Sequence, residues 1–213
     1  MKTRSKALLL TLCAVLLVAA TIFGTMAYLT STDTVTNTFT VGKVNIKLDE
    51  AKANPDGTLV EGAERVKANS YKLLPGHTYS KDPMVTVLSG SESSYVKMTV
   101  TFSKANELDA IFAPDGANLT SIFSGYDAAN WIAKGNTKDA AANTRTYEFW
   151  YKEAVAAPTA DVALDALFDS ITVPGTITGA QLATIDGMTI TVNAYAIQAD
   201  GFANADAAWA AFN

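Results

Sequence analysis

Tyr95-Val96-Lys97-Met98-Thr99-Val100-Thr101-Phe102 alternates polar and apolar side chains along its length. Successive side chains of an extended chain point to opposite faces. Val96, Met98, Val100 and Phe102 therefore share one face, and Lys97, Thr99 and Thr101 the other. Such a strand lies with one side on a core and one side in water, as antiparallel sheets allow. The period recurs outward from this stretch. Val85 and Val87 repeat it within 84–88, and Tyr147, Phe149 and Tyr151 within 145–151. Residues 188–198 place Met188, Ile190, Val192, Ala194 and Ala196 on one face. Tyr195 and Ile197 load its other face, which predicts a central strand. Ile171-Thr172-Val173 is a short strand stopped by Pro174-Gly175.

Helical spacing is rarer. Leu164, Leu167 and Phe168 predict a helix over 161–169. Phe202, Ala205, Trp209 and Phe212 predict a second one near the C-terminus, with Asn204 as its cap. Asn54-Pro55-Asp56-Gly57, Pro75-Gly76 and Ala113-Pro114-Asp115-Gly116 read as turns. The polar, alanine-rich stretch 126–144 reads as a long surface loop. About eight strands and one or two short helices, with no linker, predict a mainly β fold: a two-sheet antiparallel sandwich of jelly-roll type over 38–213.

Half of the 213 residues are apolar (49%) and 17% are charged, a composition that builds a core rather than a disordered chain. The net charge of −5 lacks the basic footprint of a nucleic-acid binder. One His and one Cys make neither a structural zinc site nor an internal disulfide.

Residues 1–27 read as a signal peptide. Lys2, Arg4 and Lys6 precede an uncharged run from Ala7 to Phe23, and Thr25-Met26-Ala27 supplies small residues for cleavage between Ala27 and Tyr28. Val18-Ala19-Ala20 is a competing site. Left uncleaved, the segment is the one part that would hold the chain to a membrane. Cys13 follows Leu12, where lipidation needs a small residue. Cleavage leaves 186 residues without cysteine, and removing three of the 16 basic residues leaves 13 against 21 acidic ones, a net charge of −8.

Directly after that site runs Tyr28-Leu29-Thr30-Ser31-Thr32-Asp33-Thr34-Val35-Thr36-Asn37, then Thr38-Phe39-Thr40-Val41. Threonine at every even position from 30 to 40 is a strand signal, because β-branched side chains suit the pleat. Beyond Gly42 the apolar phase shifts to Val44, Ile46 and Leu48, as a bulge would produce. Residues 38–48 have apolar anchors and belong to the body. Residues 28–37 are extended and polar, and reach about 33 Å at roughly 3.3 Å per residue. Added to a sheet edge of a neighbouring copy, this segment satisfies its backbone groups by strand addition. Repeated head to tail, that contact builds an open filament. Val35, Phe39 and Val41 are the expected anchors at the junction.

Ala27-Tyr28-Leu29-Thr30 and Thr38-Phe39-Thr40-Val41-Gly42-Lys43-Val44, followed by Leu74-Pro75-Gly76 with Lys81, Ile171-Thr172-Val173-Pro174-Gly175 and Ala196-Ile197-Gln198-Ala199-Asp200-Gly201-Phe202, form an ordered set along nearly the whole chain. This set resembles the TasA/camelysin family of Gram-positive bacteria. The resemblance implies processing by a dedicated signal peptidase of the SipW type. It implies a secreted jelly-roll subunit of extracellular, biofilm-matrix fibres, placed in the matrix or at the cell surface. It makes 28–37 the donor strand of a homopolymer, with a fibre-initiating accessory protein as a further partner. Many relatives carry Phe where this chain has Leu29.

Two other functions compete. The camelysin name brings a surface metallopeptidase, but such zinc sites use two histidines one helical turn apart. Here His77 stands alone in a turn. A monomeric adhesin or binding module is the other, with Tyr126, Trp131, Trp150 and Tyr151 as candidate surface. No catalytic motif, cofactor site or metal set is legible, so the chain reads as a structural protein rather than an enzyme.

Overall fold

A computed structural model describes residues 3–28, 42–112 and 123–212. Its elements are α1 (Thr3–Tyr28), β1 (Ile46–Asp49), β2 (Thr78–Ser80), β3 (Met84–Val87), β4 (Ser94–Ser103), α2 (Ala105–Phe112), β5 (Phe123–Ser124), β6 (Trp131–Asp139), β7 (Thr144–Tyr151), β8 (Val162–Ala163), β9 (Ser170–Thr172), α3 (Gly179–Thr184), β10 (Ile190–Gln198) and α4 (Ala205–Ala211). Among the described residues the body beyond α1 is built mostly of strands, and the protein is mainly β. The chain divides into two units, Met1–Val41 and Gly42–Asn213.

The first unit holds α1. Nothing between Ala7 and Phe23 interrupts a helix, and Leu8, Leu9, Leu10, Leu12, Val15 and Leu16 are all exposed on it. Its apolar residues therefore surround the axis rather than form one stripe. Among the described residues no helix is long and apolar enough to cross a membrane. Tyr28, expected to open the extended segment of the processed chain, is the last residue of α1 in the uncleaved one. In the uncleaved chain no glycine or proline separates Thr25 from Tyr28, so the helix propagates through them. Residues 29–37, Phe39 and Val41 lie outside the described residues.

The second unit pairs its described strands into three antiparallel sheets, ordered β10-β4-β7-β6, β1-β3-β8 and β2-β9-β5. Alternation at 95–102 becomes β4, whose Val96, Met98 and Val100 are fully buried and whose Phe102 is 3% exposed. Tyr147 and Phe149 of β7 are buried beside them. Val85 and Val87 of β3 and Phe123 of β5 complete one core, so all three sheets face it. Phe123 stacks on Phe168 at 4.3 Å and meets Tyr147 and Phe149 edge-on.

Three expectations are corrected. The helix over 161–169 does not form. Leu164, Leu167 and Phe168 are buried, but the N–H groups of Leu164 and Leu167 donate to the carbonyls of Val85 and Pro83. Those donors cross to another segment and are lost to a helix. The surface loop over 126–144 contains β6, paired with β7 from Trp131↔Tyr151 to Asp139↔Thr144. It is polar because an edge strand stays largely exposed. Finally, β10 lies at the margin of its sheet instead of its centre. Its second apolar face is covered by α4, whose C-cap Phe212 meets Tyr195 edge-on at 5.6 Å.

Local chemistry explains the rest. Asn204 caps α4 as expected, its side chain accepting from the Ala207 N–H at 2.9 Å. Gly57 closes the 54–57 turn at φ +91°, where a Cβ would stand 2.6 Å from the Thr78 carbonyl oxygen. α2 has no counterpart in the patterning. It is held by Leu108 against the core and by Asp109, which accepts from Lys138 and Arg145 at 2.8 Å each.

Burial alone would raise the Asp109 carboxyl, but the hydrogen bonds and charges of Lys138 and Arg145 hold it below its ordinary value. A depressed folded-state pKa stabilises the fold above the unfolded value and loses that stabilisation as pH falls through the folded one. Thermal melts should therefore drop as pH falls below about 4. Asp109→Asn should cost about 1–2 kcal/mol at pH 7 and make that acid drop shallower. An equally steep drop in the variant would place the sensitivity elsewhere.

Candidate functional site

Antiparallel neighbours exchange hydrogen bonds at every second residue, and the residues between turn their N–H and C=O groups the other way. β10 pairs with β4 from Ile190↔Phe102 to Gln198↔Ser94. Just before this pairing, the Ser103 N–H donates to the Thr189 carbonyl at 3.0 Å. Just after it, the Ala199 N–H donates to the Ser93 carbonyl at 2.7 Å. Both ends put odd-numbered residues in register for exchange. Thr191, Asn193, Tyr195 and Ile197 thus spend their backbone groups on β4. Ile190, Val192, Ala194, Ala196 and Gln198 aim theirs outward, and no described strand pairs with that edge.

The side chains repeat the message. Ile190, Val192, Ala194 and Ala196 pack against the core but remain only half-buried, whereas the facing row on β4 is sealed. Beside β10, Ile46 and Leu48 of β1 are also half-buried. β1 approaches β10 without pairing to it. An apolar margin and a row of backbone groups without a described strand partner therefore coincide.

The opposite edge of the same sheet is built differently. β6 carries Lys134 and Lys138, and its register slips between Ala133 and Gly135, where φ is +118°. Lysines and bulges keep other chains from adding to an edge. β10 has no charged residue, no proline and no register slip over its nine residues. Over that length it offers roughly 30 Å of template.

A cavity of about 730 Å³ lies between this sheet and α2 and α3. Tyr79, Phe102, Leu108, Leu182 and Ile190 are among its walls, and Asp109 and Arg145 on its rim are paired with each other. Burial pushes the Tyr147 hydroxyl on this wall up to about 12.

The expected functional residues fall mainly outside this site. Ala27 and Tyr28 lie in α1, and the remaining donor residues and anchors lie outside the described residues. Of the candidate adhesin residues, Tyr126, Trp131 and Tyr151 come together, with the Trp131 and Tyr151 rings 5.1 Å apart. Trp131 is 1% exposed and donates from Nε1 to the Asp165 carbonyl. Tyr126 donates to the Trp131 carbonyl, and Trp150 lies between Lys134 and Trp209. His77 is exposed beyond its turn. Among the described residues no three His, Cys, Asp or Glu side chains converge as metal ligands do. The outer edge of β10 has one trace in the sequence, the missing charge over 188–198, but only pairing shows which backbone groups turn away from β4. No family model, no curated protein and no solved structure matches the chain.

Proposed function

We propose that the protein is a secreted structural subunit of extracellular fibres, of the TasA/camelysin kind, assembled by strand donation. The unpaired, uncharged outer edge of β10 carries this reading. The body is a sandwich of jelly-roll type. The β10-β4-β7-β6 sheet forms one layer, and the two three-stranded sheets together form the other. The donor is segment 28–37 of a second copy, whose reach of about 33 Å fits the roughly 30 Å of β10. Backbone pairing supplies affinity, and the half-buried row from Ile190 to Ala196 supplies an apolar seat for alternate donor side chains. Removal of 1–27 by a SipW-type peptidase frees the Tyr28 end and so starts assembly. A subunit with its donor at one end and its acceptor edge on the body propagates without closing.

Negative-stain electron microscopy of protein beginning at Tyr28, beside protein beginning at Thr38, tests this. Fibres are expected from the first and monomers from the second. Monomers from both would remove strand-donated assembly, and fibres from both would reject 28–37 as the donor.

A further inference from the structure

The carboxylate of Glu50 holds an amine with one oxygen and a carboxamide with the other. Lys81 Nζ donates to Oε2 at 2.5 Å, and Asn69 Nδ2 donates to Oε1 at 3.0 Å. Lys81 and Glu50 are 7% and 6% exposed, which is rare for either residue type. Three separate segments build this cluster. Glu50 follows β1 and bridges to Val66 through both its backbone groups, Asn69 comes from the stretch beyond that bridge, and Lys81 directly follows β2. Asn69 is itself clamped. Its Oδ1 accepts from the Ala53 N–H at 2.9 Å, and its Nδ2 also donates to the Ala51 carbonyl at 2.8 Å. Tyr71 closes the cluster, its hydroxyl donating to the Ser80 carbonyl at 2.6 Å. Burial first, and the Glu50 charge second, push that hydroxyl up to about 12.

As a salt bridge alone this arrangement is poor value, since burying both charges costs about what their attraction returns. As a reaction site it gathers a buried amine, a carboxylate in contact with it, and on the same carboxylate a carboxamide whose oxygen already meets a backbone N–H. We infer that Lys81 and Asn69 become joined by a side-chain amide, with Glu50 carrying the protons.

Glu50 takes a proton from the Lys81 ammonium. The freed lone pair on Nζ bonds to Asn69 Cγ, and the carbonyl electrons move onto Oδ1, where the Ala53 N–H stabilises them. Glu50 passes its proton to Nδ2 and accepts one from Nζ. The Cγ–Nδ2 bond then breaks, its electron pair leaves with nitrogen, and the carbonyl re-forms. The departing ammonia takes the proton left on Glu50. One ammonium ion is released, Glu50 ends as it began, and no oxidant or co-reactant is consumed. The link closes the chain over 69–81 in a body that holds no cysteine, restricting the unfolded state as a disulfide would.

Mass spectrometry of a tryptic digest of the protein purified after full-length expression decides this. Cleavage after Lys81 should be blocked. Peptide 68–72 should appear joined to 73–97, lighter than their sum by one ammonia. Glu50→Gln and Lys81→Arg should each release 68–72 as a separate peptide of full mass. Asn69→Asp should form the same link with loss of water instead. The wild-type digest suffices by itself, so no variant has to fold. Separate 68–72 and 73–81 peptides from the wild type, at full mass or with Asn69 merely deamidated, would overturn the inference.

Discussion

Protein carrying Ala194→Pro should purify as a folded monomer and form no fibres. Ala194 sits opposite Met98 in the β10–β4 register, between the bonded positions Asn193 and Tyr195. Its N–H points away from β4, so proline removes a donor that the folded subunit does not use. An outward-facing edge position is where a strand tolerates proline. The same ring takes one hydrogen bond from any added strand and projects into its path. Asn193→Pro makes the opposite prediction. There the lost N–H serves the Thr99 carbonyl, and the fold should lose about 2–3 kcal/mol. Circular dichroism melts and negative-stain images of the two variants separate the effects. Fibres of wild-type length from Ala194→Pro would move the acceptor edge away from β10.

Phe149→Ala should cost the subunit about 3–5 kcal/mol, the range for deleting a buried aromatic side chain. Phe149 is fully buried on β7, opposite Met98, and its ring touches Phe123 and Tyr126. β4 and β7 lie at the centre of the four-stranded sheet and cannot close around the void without breaking their register. For a chain of this size the melting temperature should fall on the order of 10 °C. Phe212→Ala is the control. Phe212 is 37% exposed at the end of α4, and its loss should cost about 1 kcal/mol or less. Urea unfolding measures both, and a Phe149→Ala loss below that of Phe212→Ala would contradict the described core.

Much of the core is legible in the order of residues alone. β3, β4, β7 and β10 follow from two-residue periodicity, and α4 follows from an asparagine cap ahead of a three-to-four spacing. These are local properties: side-chain direction in a strand and a cap hydrogen bond depend on a few neighbouring residues. The failures share the opposite cause. Leu164, Leu167 and Phe168 have helical spacing, yet their segment bonds to β3 and its flank. β6 reads as a loop because an edge strand needs no apolar face.

By itself, then, the sequence determined the mainly β class, the apolar face of each central strand, the capped C-terminal helix and the alternating threonine segment that suggests a donor. The tertiary structure alone decided that β10 is an edge, because strand order depends on contacts between residues far apart in the chain. It alone turned the even-numbered backbone groups of β10 outward, since that parity is set by register with β4. And it alone brought Glu50, Asn69 and Lys81 together, because their meeting depends on where three separate segments pack and not on any spacing between them.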